Sequence, residues 1–183
     1  MSETYFTSDS HFGHARILEL SNRPFKTTAE MEEVLVANWN ARVAAGDTVY
    51  HLGDFAMHPR DDIPRILARL KGTIVLVDGN HDHKKTLTHF GVVHRRIDLT
   101  VDGVDVHMVH NPAQAHAQPN QIVLCGHVHE KWARILPGGT VPADDTADHA
   151  YKSSAFVASV PYYNVGVDVR GFQPVTLAEI LRA

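Results

Sequence analysis

The chain predicts an α/β protein built on a mixed sheet or on two packed sheets. Short β-branched and aromatic runs recur along it, bounded by Gly, Asp, Asn and Pro. Stretches with helical periodicity alternate with these runs in the first half. In the second half, strand-like runs follow one another with little helical pattern between them.

The elements follow in order. "TYFT" at residues 4–7 reads as a first strand, and "HARILEL" at 14–20 as a short helix. The clearest helix is "TTAEMEEVLVANWNARVA", where Thr27 and Glu30 have capping-box spacing and Met31, Val34, Leu35, Trp39 and Val43 share an apolar face. A strand at 48–52 follows. "DDIPRILARL" then offers Ile63, Ile66, Leu67 and Leu70 to the core and stops at Gly72. Strands at 73–77, 96–101 and 104–109 come next, the last two joined across Asp102-Gly103, a dipeptide suited to a tight hairpin. Strands at 121–125 and 163–169 and a closing helix complete the set, Thr176 and Glu179 giving a second capping box before Ile180 and Leu181. Residues 136–161, rich in Gly, Pro, Asp and Ser, read as a long loop or hairpin excursion rather than core. No repeat or linker divides the chain, so residues 1–183 are expected to form a single domain.

Of 183 residues, 44% are hydrophobic and 21% charged, enough to bury one sizeable core. No apolar run reaches the roughly 20 residues that span a bilayer. The start "MSETYFTSDSHFGH" lacks the basic flank and apolar core of a signal peptide. These readings give a soluble, cytoplasmic protein without membrane contact. A net charge of -4 and a pI near 6.4 leave a nucleic-acid partner unsupported by charge. One cysteine, Cys125, excludes an internal disulfide and any Cys-rich zinc module, and reads as a buried strand residue. No sequence feature specifies an oligomeric state.

Histidine is the anomaly: there are 14, against 17 Lys and Arg together, and they are dispersed. Their positions carry the argument. "TYFTSDSH" ends in Asp9 and His11, "TVYHLGDF" in Asp54, and "TIVLVDGNHD" in Asn80, His81 and Asp82. "VDVHMVHNP" reaches His110, and "QIVLCGHVH" reaches His127 and His129. Five expected strands thus each deliver metal-competent side chains at the carboxyl end or just beyond it, the rim where α/β sheets bind ligands. Carboxylates, imidazoles and an amide suit Mn, Fe, Zn, Co or Ni rather than Ca or a thiolate zinc site. Carboxylates brought together there repel and lose water, which cations offset. The donors are too many for one tetrahedral ion, so two are implied. Gly53, Gly79 and Gly126 each precede a ligand, where the backbone is expected to turn sharply off a strand.

The set Asp9-x-His11, Gly53-Asp54, Gly79-Asn80-His81-Asp82, His110 and Gly126-His127-x-His129 resembles the calcineurin-like metallophosphoesterase superfamily, in order and over about two-thirds of the chain. "TSDSHFGH", "NRPF" at 22–25 and "NVGVD" at 164–168 further resemble small phosphoesterases of bacteria and phages. The resemblance implies a four-layer αββα sandwich, two mixed β-sheets flanked by helices, with a dinuclear metal centre at one rim. It assigns Asp9, His11 and His129 to one ion, Asn80, His110 and His127 to the other, and Asp54 to both. It makes His81 the acid or a transition-state contact and Asp82 the residue that orients its ring. The ions would be divalent transition metals, manganese first, with iron, zinc, nickel or cobalt as alternatives. Two such ions about 3.5–4 Å apart would hold a bridging hydroxide that attacks phosphorus in line, while His81 protonates the leaving group.

Two divalent ions less Asp9, Asp54 and one hydroxide leave about one positive charge, which tilts the expected substrate slightly toward a phosphodiester or nucleotide. A phosphomonoesterase or protein phosphatase is the alternative, although the protein-phosphatase branch carries Glu where Asp82 stands and arginines where Phe55-Ala56-Met57 stand. A non-catalytic metal-binding scaffold would require lost ligands, and every expected position is filled. His14 reads equally as a phosphate contact or a helix cap, and Arg23 as a phosphate contact or, more simply, a surface salt bridge. Asn164 and Asp168 read as supports of the site or as a strand-end turn. His51 reads as structural, and His83, His89, His94, His107, His116 and His149 as solvated or supporting.

Overall fold

The computed structural model describes residues 2–57, 62–143 and 153–182. Its strands, in chain order, are β1 (Thr4–Thr7), β2 (Thr48–His51), β3 (Thr73–Val77), β4 (Val93–His94), β5 (Arg96–Val101), β6 (Val104–Val109), β7 (Ile122–Cys125), β8 (Arg134–Ile135), β9 (Thr140–Val141), β10 (Phe156–Val157), β11 (Tyr162–Asn164) and β12 (Val175–Thr176). The helices are α1 (Ile17–Leu20), α2 (Thr28–Arg42), α3 (Ile63–Leu67), α4 (Lys84–Leu87) and α5 (Leu177–Arg182). Among the described residues, two five-stranded mixed sheets form, ordered β12-β1-β2-β3-β4 and β5-β6-β7-β11-β8.

Period-2 alternation sorts the side chains into layers. Phe6, Leu52 and Val77 of the first sheet face Val106, Met108, Leu124 and Tyr163 of the second, so the sheets pack face to face. The opposite face of the first sheet, with Tyr5, Val49 and Leu76, is covered by Met31, Leu35 and Trp39 of α2 and by Ile63 and Ile66 of α3. Val109, Val123, Cys125 and Tyr162 on the outer face of the second sheet pack against Val141, Ala158 and Val160. The 136–161 stretch was expected to stand outside the core. Its ends instead pair as the antiparallel β9–β10 ladder and bury those three side chains, and its residues 144–152 lie outside the described residues.

The local expectations mostly hold, with physical reasons where they do not. Asp102 and Gly103 both take positive φ, at 49° and 79°, as a two-residue hairpin with the right-handed strand twist requires. Thr27 caps α2 by accepting from Glu30 N, but the Glu30 carboxylate accepts from Lys26 N one residue earlier. At α5 the capping box closes on itself: Glu179 Oε2 accepts from Thr176 N, and Thr176 Oγ1 accepts from Glu179 N. The strand expected at 163–169 ends at Asn164, and residues 167–169 form a 3-10 turn. His107 is buried against Asp98 rather than solvated, and His149 lies outside the described residues.

The topology aims one edge of both sheets at the same place. β1, β2, β3 and β4 run parallel, as do β6, β7 and β11. Their carboxyl ends meet where Ser8 bridges Gly166 in parallel and Val167 N donates to the Ser8 carbonyl. Thr27→Ala is expected to cost about 1 kcal/mol, a fall of roughly 2–4 °C in Tm for a chain of this size. An unchanged thermal transition would show that the Thr27 cap contributes nothing.

Candidate metal centre

Every ligand candidate lies just beyond a strand end, and five of the seven sit in backbone that ordinary residues avoid. Asp9, His11, Asp54, His127 and His129 all have positive φ, between 47° and 71°. Left-handed backbone costs a non-glycine residue roughly 1–2 kcal/mol, and such strain clusters at functional sites. At these five positions the candidate ligand residue itself takes the left-handed turn. Gly53, at φ 94°, turns as expected, but Gly79 and Gly126 do not take positive φ. They are glycines for want of space: a Cβ on Gly79 would strike the Asp54 amide, and one on Gly126 would strike the Ser8 hydroxyl and the Asp9 carboxylate.

These turns converge two sets of donors. Ligand atoms of Asp9, His11 and His129 lie within 4.8 Å of one another, as do those of Asp9, Asp54 and His110. Asp54 Oδ2 sits 3.4 Å from both His11 Nε2 and His110 Nε2, between the two sets. Asn80 Oδ1 lies 2.9 Å from His110 Nε2 and 2.9 Å from His127 Nδ1.

The electrostatics of this arrangement fit a cation. His110 Nδ1 is 2.7 Å from the Leu52 carbonyl, which fixes the proton there and turns the Nε2 lone pair toward Asp54 and Asn80. Burial works to lower the His110 pKa, but the Asp54 and Asp9 carboxylates push it up to about 10, a demand for positive charge at that nitrogen. Burial likewise opposes ionisation of Asp54, yet His110 and His11 hold its carboxyl well below the usual range. His11 Nε2 is buried without a hydrogen-bond partner. Buried polar atoms are ordinarily paired, and a metal ion would satisfy this one.

The surrounding residues correct several expectations. Arg23 is neither at the surface nor in the cleft. It is buried, its Nε and Nη2 donating to the two Asp168 oxygens at 2.8 and 2.9 Å and its Nη2 donating to the Asp9 carbonyl at 2.6 Å. Asp168 Oδ2 in turn lies 3.0 Å from His129 Nδ1, leaving His129 Nε2 for the centre. Asn164 is fully buried and donates to the carbonyls of His129 and Trp132, holding the loop that carries His129. Asp82, expected to orient the His81 ring, is a backbone acceptor. Its oxygens accept from the amides of Asp54, Phe55 and Gly79, because the tight turn after β3 points Asp82 inward. It locks together the loops that carry Asp54 and His81. His14 caps no helix; its ring faces those of His11 and His81, and burial together with His11 and His81 lowers its pKa to about 4.

A cleft of about 720 Å³ opens over the centre, lined on one side by His11, Asp54, His81, His127 and His129. A smaller recess of about 170 Å³ is lined by Asp78, Asn80, Arg95, His110 and Gln114. Nothing in the sequence marks the apolar lining of the large cleft, Ile17, Leu20 and Met57, because those residues look like ordinary core.

Residues 4–141 match the model of the calcineurin-like phosphoesterase superfamily domain. The chain belongs to this superfamily. Over its whole length it is 30% identical to an uncharacterized protein of Methanocaldococcus jannaschii, covering 91% of that protein. It is 35% identical over 85 residues to the Gene 66 protein of Mycobacterium phage L5, a match spanning 45% of this chain and 41% of that one. A solved structure of a protein of unknown function from Aquifex aeolicus is similar throughout, with TM-score 0.71, 26% identity, and 100% and 99% of the two chains covered.

Gly126→Ala is expected to destabilise by about 1–3 kcal/mol through overpacking against Ser8 and Asp9. Gly46→Ala, where a Cβ meets nothing within 4 Å, is the control and should be neutral or gain up to about 1 kcal/mol. Equal denaturation midpoints for the two variants would refute the close-approach account of Gly126.

Proposed function

We propose that the protein is a dinuclear metal-dependent phosphoesterase, with phosphodiester or nucleotide substrates favoured. The observation that carries this reading is the position of Asp54 Oδ2 between His11 Nε2 and His110 Nε2, with a third and fourth donor at each side. Asp9, His11 and His129 would hold one ion and Asn80, His110 and His127 the other, with Asp54 common to both. Manganese is the proposed metal, and iron, zinc, nickel and cobalt suit the same donors. When bound, the pair of ions would supply a hydroxide at neutral pH and positive charge for the phosphoryl oxygens.

The residues around the ions have separable tasks. His81 lines the cleft above Asp54, with its amide donating to Asp54 Oδ1 at 2.8 Å, so its ring is in place to protonate the leaving oxygen. His14, kept neutral beside it, offers a hydrogen bond to the phosphoryl group. Arg23 and Asp168 act through His129 by fixing its ring, and Asn164 by fixing its loop. No described helix is long and apolar enough to cross a membrane, and a cytoplasmic location is part of this proposal.

The test pairs elemental analysis with hydrolysis of a chromogenic monoester and diester. The expected result is about two transition metals per chain, lost together with activity on chelation. His81→Gln should keep its metal and lose roughly 10²–10⁴ in rate, and Asp54→Asn should lose both. Asp168→Asn should fold and bind metal about 10–100-fold more weakly. A metal-free protein, or wild-type activity in Asp54→Asn, overturns the reading. Full metal retention without hydrolysis of any ester points to the scaffold alternative.

A further inference from the structure

The large cleft is chemically two-sided. Its lining joins the donor cluster and His81 to the apolar Ile17, Leu20 and Met57. Leu20 is 61% and Met57 45% exposed, two of the few large apolar side chains left in water among the described residues. Scattered exposed apolar residues are ordinary, but these two share one cleft with the metal centre. Its volume falls within the range of small-molecule sites, which are mostly apolar with a few placed polar groups.

Two further observations set its occupant. Arg16 and Lys131 line the same cleft and hold no carboxylate partner among the described residues, although Glu130 is near them on the rim. Cations flanking an apolar wall complement a ligand that is both apolar and anionic. His81 lines this cleft and not the small recess, where Arg95, Gln114 and Asn80 give a polar lining. The group that departs with the proton from His81 is therefore the one seated in the large cleft.

We infer that the substrate is an unsymmetrical phosphodiester whose leaving alcohol carries an aromatic body, a nucleobase or aryl group, packed on Leu20 and Met57, with a small polar group retained at Arg95. This rests on the phosphoesterase reading above. Water adds its oxygen to phosphorus and the bond from phosphorus to the aromatic alcohol's oxygen breaks. That oxygen takes a proton from His81, which regains one from solvent, and the attacking water releases its own to solvent. Met57 favours an aromatic occupant over an aliphatic one, since thioether sulfur packs well on ring edges.

The test compares methyl phenyl phosphate with methyl 2-naphthyl phosphate, whose leaving phenols are of similar acidity, in metal-loaded wild type and in Leu20→Ser/Met57→Ser. Burying the second ring should favour the naphthyl ester by about tenfold in kcat/KM in wild type, and the ratio should fall to about twofold or less in the double variant. Titration calorimetry with methyl 2-naphthylphosphonate and methyl phenylphosphonate, which are not cleaved, should show the same ratio and the same collapse. Equal handling of both rings by wild type, or an unchanged ratio in the variant, overturns the inference. Hydrolysis without ring preference removes this inference and leaves the phosphoesterase reading standing. Ring-selective phosphonate binding without hydrolysis of either ester removes that reading and supports the aromatic recess. Both substituted residues are exposed, so unchanged thermal transitions are expected to accompany either outcome.

Discussion

The rest of the structure answers to one constraint: lone pairs forced together in a buried place. Asp54 Oδ2 faces two imidazole nitrogens at 3.4 Å, and Asn80 Oδ1 faces two at 2.9 Å. His110 Nδ1 meets the Leu52 carbonyl, so its other nitrogen faces those oxygen atoms on acceptable terms only with a positive charge there, a second proton or an ion. Without positive charge such a cluster would push itself apart. The fold is arranged to prevent that, and the arrangement makes sense if a charge is to be received.

What holds the cluster is a second layer of buried polar contacts, each fixing a loop rather than a ligand atom. Arg23 spans the greatest distance, gripping Asp168 with a two-pronged contact and the Asp9 carbonyl with the same Nη2. A buried ion pair is a weak source of net stability. Its value here is geometric, since it ties the left-handed backbone at Asp9 to the ring orientation of His129. Asp82 does the corresponding work on the other side, joining the loops after β2 and β3 through three amides. The strain at five ligand positions persists because these contacts over-determine the loops.

Much of this was legible before any coordinates, and the reason is local. Alternating apolar runs ending in Asp, Asn or His announce both a strand and what its end carries, so Asp9, Asp54, Asn80, His110 and His127 could be named from their neighbours. Asp102-Gly103 declared its hairpin in two residues. What stayed hidden depends on pairings across the chain. Arg23 and Asp168 are 145 residues apart, and nothing near either names the other. Gly79 and Gly126 looked like turn glycines because spacing shows a glycine's place but not what presses against it. Asp82 was assigned to the His81 ring by resemblance, and nothing near it foretold the three amides of two loops that its oxygens accept from. The 136–161 stretch looked unlike core because three buried side chains are diluted among turn residues.

The ligands come from both sheets, and that fact links the proposed chemistry to the stability of the fold. Asp9, Asp54 and Asn80 follow strands of the first sheet, while His110, His127 and His129 follow strands of the second. The sheets are held by an apolar layer along their length, but at the rim by polar contacts: the Ser8–Gly166 bridge, the Val167 and His127 amides, His110 on the Leu52 carbonyl, and Arg23 on Asp168. An ion shared between such ligands binds the folded rim and not the unfolded chain, so at about 100 times its Kd it adds roughly 2.7 kcal/mol to stability. The same seam is also where the cleft opens. Closing the seam with more apolar contact would stabilise the protein and shut the cleft, so the rim is left polar and held by charge. A site of this kind trades intrinsic stability for access, and the metal proposed to act in it is also what would hold it closed beneath the substrate.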